Sequence, residues 1–432
     1  MKKKDLINIF MLMVFKGILE IGYIIFVSPI FAEENFFIEY SFGKFILSNL
    51  LTLVIAFLII FYIAKQQRAS QIIVYILLIF LFIPIMSLYW LQNQPTKFAI
   101  AIFLSYFIIN CILIIIPRIK IYSLTKKESK VFLIFLFIGI TGIVYGLLIL
   151  TGGLSRINLN LLDVYETREA YSSNEGRILG YLLPWQAHVV NLLLLTLALY
   201  NRKYFLATIA LAMQIFLFSM TNFKSHLFAP VVILMFYFFQ KTKWKDYFLL
   251  IMSTGATLLV SVSLVLFTIS NNLMLVPSIF IRRLFFVPAQ LHYQYYDFFE
   301  FKRKFYLEHS ILENVIPSYY NTSPVTYMAL EFFKRDFAPN VGYWGDAYVN
   351  FGFSGIFIFS ILLAVILLII DSVSNKIPLF LTMSILVIPG MSLINSAFFT
   401  SLLTHGILFC ILLLWIVNGI YRKNKLTVHG SN

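Results

Sequence analysis

Apolar residues along this 432-residue chain fall into long runs separated by short polar turns. A helix that crosses a bilayer needs about twenty consecutive, mostly apolar residues. Runs near that length occupy 9–31, 45–64, 71–91, 98–116, 131–151, 179–200, 204–220, 226–240, 247–269, 347–370, 377–391 and 402–420. The eleventh is short, and Pro389-Gly390 blurs its end. The pattern predicts an all-α polytopic membrane protein with about 12 transmembrane helices. Two longer polar stretches interrupt it, 152–178 and 271–344. They divide the chain into nine helices over 1–270, a large loop containing short amphipathic helices, and three helices plus a tail over 345–432. No internal repeat is visible and the halves differ in loop length, which counts against an inverted-repeat transporter.

Composition strengthens the membrane class. The chain is 60% hydrophobic and 12% charged, against about 45–50% and about 25% in soluble domains. The net charge of +14 has no separate basic domain behind it, so no nucleic-acid partner is expected. Cys111 and Cys410 both sit in apolar runs, which leaves no disulfide framework or Cys-rich metal site. The start, Lys2-Lys3-Lys4 and then an apolar run to Phe31, imitates a signal peptide. The run is too long, Ile30-Phe31-Ala32 is a poor cleavage site, and Lys16 and Glu20 interrupt it, so a first spanning helix is expected. Four residues apart, Lys16 and Glu20 are placed to pair on one helix face.

Charge then sets orientation. With the N-terminus inside, the inner segments hold nineteen Lys and Arg, in the groups Lys2–Lys4, Lys65/Arg68, Arg118–Lys130, Arg202/Lys203, Lys241–Lys245, Lys376 and Arg422–Lys425. The short outer loops hold Lys44, Lys97 and Lys224. This asymmetry predicts both termini in the cytoplasm and both long loops outside. The large loop nevertheless carries Arg282, Arg283, Lys302, Arg303, Lys304, Lys334 and Arg335. Cations kept where short loops avoid them point to an anionic ligand, a membrane-borne phosphate or an acidic sugar.

Soluble-enzyme signatures are missing: no Gly-rich phosphate loop, no His-Glu-x-x-His, no Gly-x-Ser-x-Gly and no Asp-x-Asp. In loop 152–178, Arg156, Arg168 and Arg177 alternate with Asp163, Glu166, Glu169 and Glu175. They suit either a self-paired loop helix or a phosphate site, with Arg177 at the mouth of the sixth span. The eighth run, at ~1.5 Å per residue, covers only ~22 Å of a core about 30 Å thick. The tip Thr221-Asn222-Phe223-Lys224-Ser225-His226 is therefore expected below the outer surface, where Lys224 either snorkels or meets an anion.

In the large loop, Arg283, Gln290, Gln294 and Asp297 fall on one helical face, with apolar and aromatic residues elsewhere and Pro288 disturbing the register. That suits a helix in the membrane interface, either a lid or, with His292, a site. Ser323-Pro324 reads as an N-cap starting a short helix through Arg335. Tyrosines crowd the loop, suited to sugar faces or interfacial anchoring. Asp346 stands where the tenth span begins, as an N-cap or a reactive carboxylate. His188 and His405, inside spans, are expected to be packing residues, not ligands.

With Thr221-Asn222-Phe223-Lys224-Ser225, Arg282-Arg283 before Pro288-Ala289, and Gly345-Asp346-Ala347-Tyr348-Val349-Asn350-Phe351-Gly352 in this order across nearly the whole chain, the protein resembles the Wzy-type oligosaccharide repeat-unit polymerases of O-antigen and capsular polysaccharide. An Arg-x10-Gly pattern found in some members is absent. The resemblance implies transfer of a growing glycan from one polyprenyl diphosphate to another lipid-linked repeat unit, on the outer face of a bacterial cytoplasmic membrane. It implies that Arg168, Arg177, Lys224, Arg282 and Arg283 hold diphosphate, while His292 or Asp346 takes the acceptor's proton. No cofactor or metal is expected. The expected partners are a polyprenyl-diphosphate-linked oligosaccharide, membrane lipid, a chain-length regulator and a flippase. The rivals are an O-antigen ligase, with similar donor chemistry, and, in another class, a lipid-linked-oligosaccharide flippase or transporter.

Overall fold

The computed structural model describes residues 3–160, 165–172, 176–242, 247–270, 273–310 and 318–421. The chain is an all-α polytopic membrane protein, with no strand among the described residues. Among the described residues ten helices are long and apolar enough to cross a bilayer, and two shorter apolar ones match the eighth and eleventh runs. In chain order they are α1 (Lys3–Glu34), α2 (Phe42–Ile63), α3 (Gln71–Leu91), α4 (Thr96–Ile115) and α5 (Lys126–Leu150). Next come a short surface helix α6 (Tyr165–Ser172), then α7 (Ile178–Tyr200), α8 (Tyr204–Thr221), α9 (Lys224–Gln240) and α10 (Phe248–Ile269). The C-terminal part holds α11 (275–299), α12 (324–333), α13 (Tyr343–Val373), α14 (Leu379–Asn395) and α15 (Phe398–Ile420).

Burial sorts these helices by role. In its most apolar stretch α3 is 94% buried, so it is walled in by protein on every side. It packs against α14 and, with its later half, against α2. By contrast α5 is only 22% buried and gives most of its apolar surface to the surroundings. Its start is fixed by a capping box in which Thr125 and Glu128 satisfy each other's backbone N–H groups. Around the axis, α1 lies along α10, α4 along α13 and α7 along α8.

The Lys16–Glu20 pair forms as the four-residue spacing predicts, fully inside the bundle. Glu20 also accepts from Ser87 Oγ at 3.0 Å and Trp90 Nε1 at 2.8 Å. With Oε1 accepting from all three groups, the pair fastens α1 to α3.

Lys4, the turn at Ala64–Gln71, Gln240, Tyr247 and Pro378 meet at one end of the bundle, hereafter the near end. The opposite, far end gathers Glu34, the Gln92–Gln94 turn, Arg168 with the Asn222 turn, and Arg282 with Gln290.

The principal surprise is α11. Sequence pattern predicts a helix lying in the membrane interface with Arg283, Gln290, Gln294 and Asp297 on its wet face. Instead α11 is wedged into the bundle. Ile281 packs on Gly22, the Phe285 ring stacks 5.3 Å from Phe80 and 5.5 Å from Phe15, and Tyr293 donates to the Ile85 carbonyl at 3.1 Å. The expected polar face therefore splits: Arg283 and Asp297 are exposed, while Gln290 and Gln294 are buried. Residues Ser278–Phe286 take the wider π-helical pattern, and Pro288 resets the following turn, so the 100° register fails there.

Helix α13 bends at Phe351-Gly352, where Gly352 has φ +63°, a conformation that favours glycine. The bend opens the carbonyls of Val349 and Asn350 to Phe305 N–H (3.0 Å) and Tyr306 N–H (3.1 Å). Asn350 Oδ1 accepts from Leu307 N at 2.9 Å. The kink thus stitches the loop after α11 onto α13. At the start of α13, a side chain at Gly342 would collide with the Ile394 carbonyl, so glycine is what lets α13 and α14 meet.

Candidate functional site

Two groups of cations emerge at the far end, on different elements and in different electrostatic states. The first is built on the α8–α9 turn. Thr221 and Asn222 are fully buried, and Asn222 closes the turn with φ +50°. The short helix α6 lies over this turn. From it, half-buried Arg168 donates Nε to the Asn222 carbonyl at 3.0 Å and holds its guanidinium 5.3 Å from the Phe223 ring. Both amide atoms of Asn222 are buried without a hydrogen-bond partner. Next in the chain, Lys224 and Ser225 are exposed. Among the described residues neither Arg168 nor Lys224 forms an ion pair. Arg177 opens the helical turn that leads into α7, and its side chain lies outside the described residues.

Facing this turn, α7 presents a residue expected only to pack. His188 Nε2 lies 3.3 Å from Ser225 Oγ, and its ring is 5.3 Å from that of His226. His226 Nδ1 lies 3.2 Å from Thr221 Oγ1. His188 is half-buried. A polar ladder supports it from within: Gln186 Nε2 to Asn191 Oδ1 (2.7 Å), Asn191 Nδ2 to Gln214 Oε1 (2.8 Å), and Gln214 Nε2 to the Ala187 carbonyl (3.0 Å). His188 sits in the π-helical stretch Gln186–Val190 just after Pro184. Proline followed by Gln, His and Asn inside one span was the signal in the sequence. His405, the other histidine inside a span, meets Ser396 Oγ at 3.0 Å.

The second group is on α11. Arg282 is buried; it forms an ion pair with Glu34 and lies 4.0 Å over the Phe31 ring. Its positive charge is thus already answered by protein. Arg283 beside it is exposed and forms no ion pair among the described residues. Among the described residues, none of the hydrogen bonds, ion pairs or ring contacts of Arg168 or Lys224 reaches α11.

His292 and Asp346 are both buried. His292 is 0% exposed, with Nδ1 2.6 Å from the Pro288 carbonyl and Nε2 without a partner. Burial pulls its imidazole down to about 4, so it is neutral at ordinary pH. Asp346 does not cap its own helix. Its Oδ2 accepts Phe398 N–H at 2.9 Å, satisfying the first free donor of α15, and its Oδ1 accepts Asn350 Nδ2 at 3.0 Å. Both are engaged in tying α11, α13 and α15 together.

A third polar patch appears after α11. Though solvent reaches its residue, the Asp297 carboxyl is partly desolvated by the groups around it and, helped by neighbouring Glu300, is pushed up to about 6, and burial pulls half-buried Lys304 down to about 8. Lys304 is spoken for: it donates to the Phe299 carbonyl and lies 4.3 Å over Tyr348. Many of the loop's tyrosines serve the same internal packing, with the Tyr320 ring stacked 4.3 Å from Phe305 and its hydroxyl on the Arg303 carbonyl. Among the described residues no three His, Cys, Asp or Glu side chains gather as a metal site would require. Comparison of the chain with protein-family models, with curated proteins and with solved structures finds no match.

Proposed function

We propose that this protein is a membrane glycosyltransferase that polymerises oligosaccharide repeat units carried on polyprenyl diphosphate, working at the far end of the bundle. On this proposal the far end faces outward from a bacterial cytoplasmic membrane and both termini are cytoplasmic. The observation that carries it is the Arg168–Asn222–Lys224 turn: two cations without carboxylate partners, held at the mouth of an apolar bundle beside a half-buried imidazole.

The chemistry follows from charge and access. In the transfer, the bond between the donor sugar's anomeric carbon and the diphosphate oxygen breaks while the acceptor hydroxyl oxygen bonds to that carbon. Negative charge grows on the departing diphosphate, where Lys224 and Arg168 can stabilise it without first losing an internal ion pair. The acceptor's proton needs a neutral base open to the site. His188 meets that requirement once its Nε2 is released from Ser225, whereas His292 and Asp346 would first have to be uncovered. The base role therefore passes from those two residues to His188 in this proposal. Arg283 is left as an outlying cation that would guide the second lipid-linked unit.

Reconstitution tests this directly. Purified protein mixed with a polyprenyl-diphosphate oligosaccharide should yield a ladder of glycan lengths, and His188→Gln should collapse it at equal protein level. A ligase would instead pass the intact chain to a different acceptor, and a flippase would move the unit between leaflets without lengthening it. No ladder from native protein with a verified substrate sinks the proposal.

A further inference from the structure

The near end holds a cavity of about 370 Å³ enclosed by α1, α3, α9, α10 and α14, remote from the turn that carries Lys224. Its polar wall is made by Asn8, Gln67, Tyr75 and Gln240, none of which forms a side-chain hydrogen bond with the described protein. Two of them are deeply buried: Tyr75 is 2% exposed and Asn8 is 5% exposed, with Asn8 Oδ1 lacking any partner. Buried polar groups are nearly always satisfied, because leaving one unpaired costs about 1–3 kcal/mol. Two such buried residues, with Gln67 and Gln240 nearer the rim, around one space of ligand size mark a binding site.

The lining also indicates the ligand's chemistry. Among the described residues no carboxylate lines the cavity, which disfavours a cation. Lys4 stands at the rim with its ammonium 4.1 Å from the Tyr247 ring, and the surrounding turns add Lys65 and Lys241. The neighbouring acid, Asp5, is buried and engaged within the protein. Amides and phenols both donate and accept, which matches hydroxyl groups. The remaining wall is Phe236, Phe239, Phe248, Phe380 and Met383, suited to hydrocarbon. We infer that this cavity binds a phospholipid with a hydroxylated, anionic headgroup, of the phosphatidylglycerol class. Its phosphate meets Lys4, its headgroup hydroxyls meet Asn8, Tyr75, Gln67 and Gln240, and its chains leave along the phenylalanines. Basic pockets between helices at a membrane face commonly take such headgroups. The site is independent of the glycosyl-transfer proposal.

The test uses delipidated full-length protein in detergent, titrated with dioctanoyl phosphatidylglycerol, phosphatidylcholine of the same chains, or free glycerol phosphate, and read by native mass spectrometry. Phosphatidylglycerol should bind as one retained molecule, at least about tenfold tighter than phosphatidylcholine, since each lost hydrogen bond to a buried group is worth roughly that ratio. Free glycerol phosphate should bind far more weakly. The double variant Asn8→Leu/Tyr75→Phe should lose about tenfold or more, and the rim variants Gln240→Ala and Lys4→Gln should weaken binding without touching the buried pair. Equal affinity for the two lipids, equal binding of free glycerol phosphate, or unchanged binding in the rim variants with native gel-filtration behaviour would overturn the assignment.

Discussion

Arg168 and Arg282 are the same residue type at the same end of the bundle, yet only one has its charge spent. Arg282 is paired with Glu34 and stacked on Phe31. Arg168 uses one nitrogen to hold a main-chain carbonyl and leaves its charge without a carboxylate. A cation's value to an incoming anion depends on what it must give up. Arg282 would have to lose an ion pair before gaining a phosphate, whereas Arg168, held by a main-chain carbonyl and the Phe223 ring, has no carboxylate to leave and exposed Lys224 loses little beyond water.

The sharpest way to break this contrast is to remove the available charges. Lys224→Ala combined with Arg168→Ala should lower polymer formation by about a hundredfold or more, the scale seen when a donor to a developing anion is deleted. Glycan-ladder yield at matched protein level measures it. Survival of the ladder would place the diphosphate elsewhere.

Arg282→Ala should act on stability instead. Glu34 is half-exposed, so solvent screens the pair, and a loss of about 1–2 kcal/mol is expected once the stacking on Phe31 is included. Thermal unfolding in detergent should show it, and Glu34→Gln should recover part of it by removing the abandoned charge. A large loss of activity with unchanged stability would reverse the roles of the two arginines.

A smaller, pH-dependent effect is expected from His292. Its folded pKa of about 4 lies below the ordinary histidine value of about 6.5, so the unfolded chain takes up the proton first as pH falls. Its contribution is fully present above about pH 6.5 and is lost as pH drops toward 4. His292→Gln should flatten the acid side of the stability–pH curve across that window. A curve of unchanged slope would mean the ring is not buried. The weakest change should be Asp346→Asn, which keeps one acceptor and costs about 1 kcal/mol of unfolding free energy. Loss of all activity in that variant with stability intact would return Asp346 to the chemistry.

What the sequence made legible follows from the range of each interaction. The twelve apolar runs and the Lys16–Glu20 pair are local, so hydropathy and helical spacing suffice. The Arg282–Glu34 pair joins positions 248 residues apart, and no local pattern announces it. The burial of α11 was hidden for a second reason, since its tyrosines, glutamines and histidine resemble a wet surface until their partners on α3 and α13 are known. The contact of His188 with Ser225 is likewise invisible in the sequence, because Ser225 lies on a different helix.

The contrast between a walled-in α3 and a widely exposed α5 governs how this molecule would feel its surroundings. Bilayer thickness acts only on surfaces that touch acyl chains. In a thicker or thinner membrane the outer helices, α5 foremost, would tilt to match, while α3 stays still as an axle shielded from the bulk acyl chains. Strain from mismatch would then reach the interior only where the tilting rim is anchored, which makes the mounting of peripheral helices, and not the central one, the place where lipid composition would tune activity.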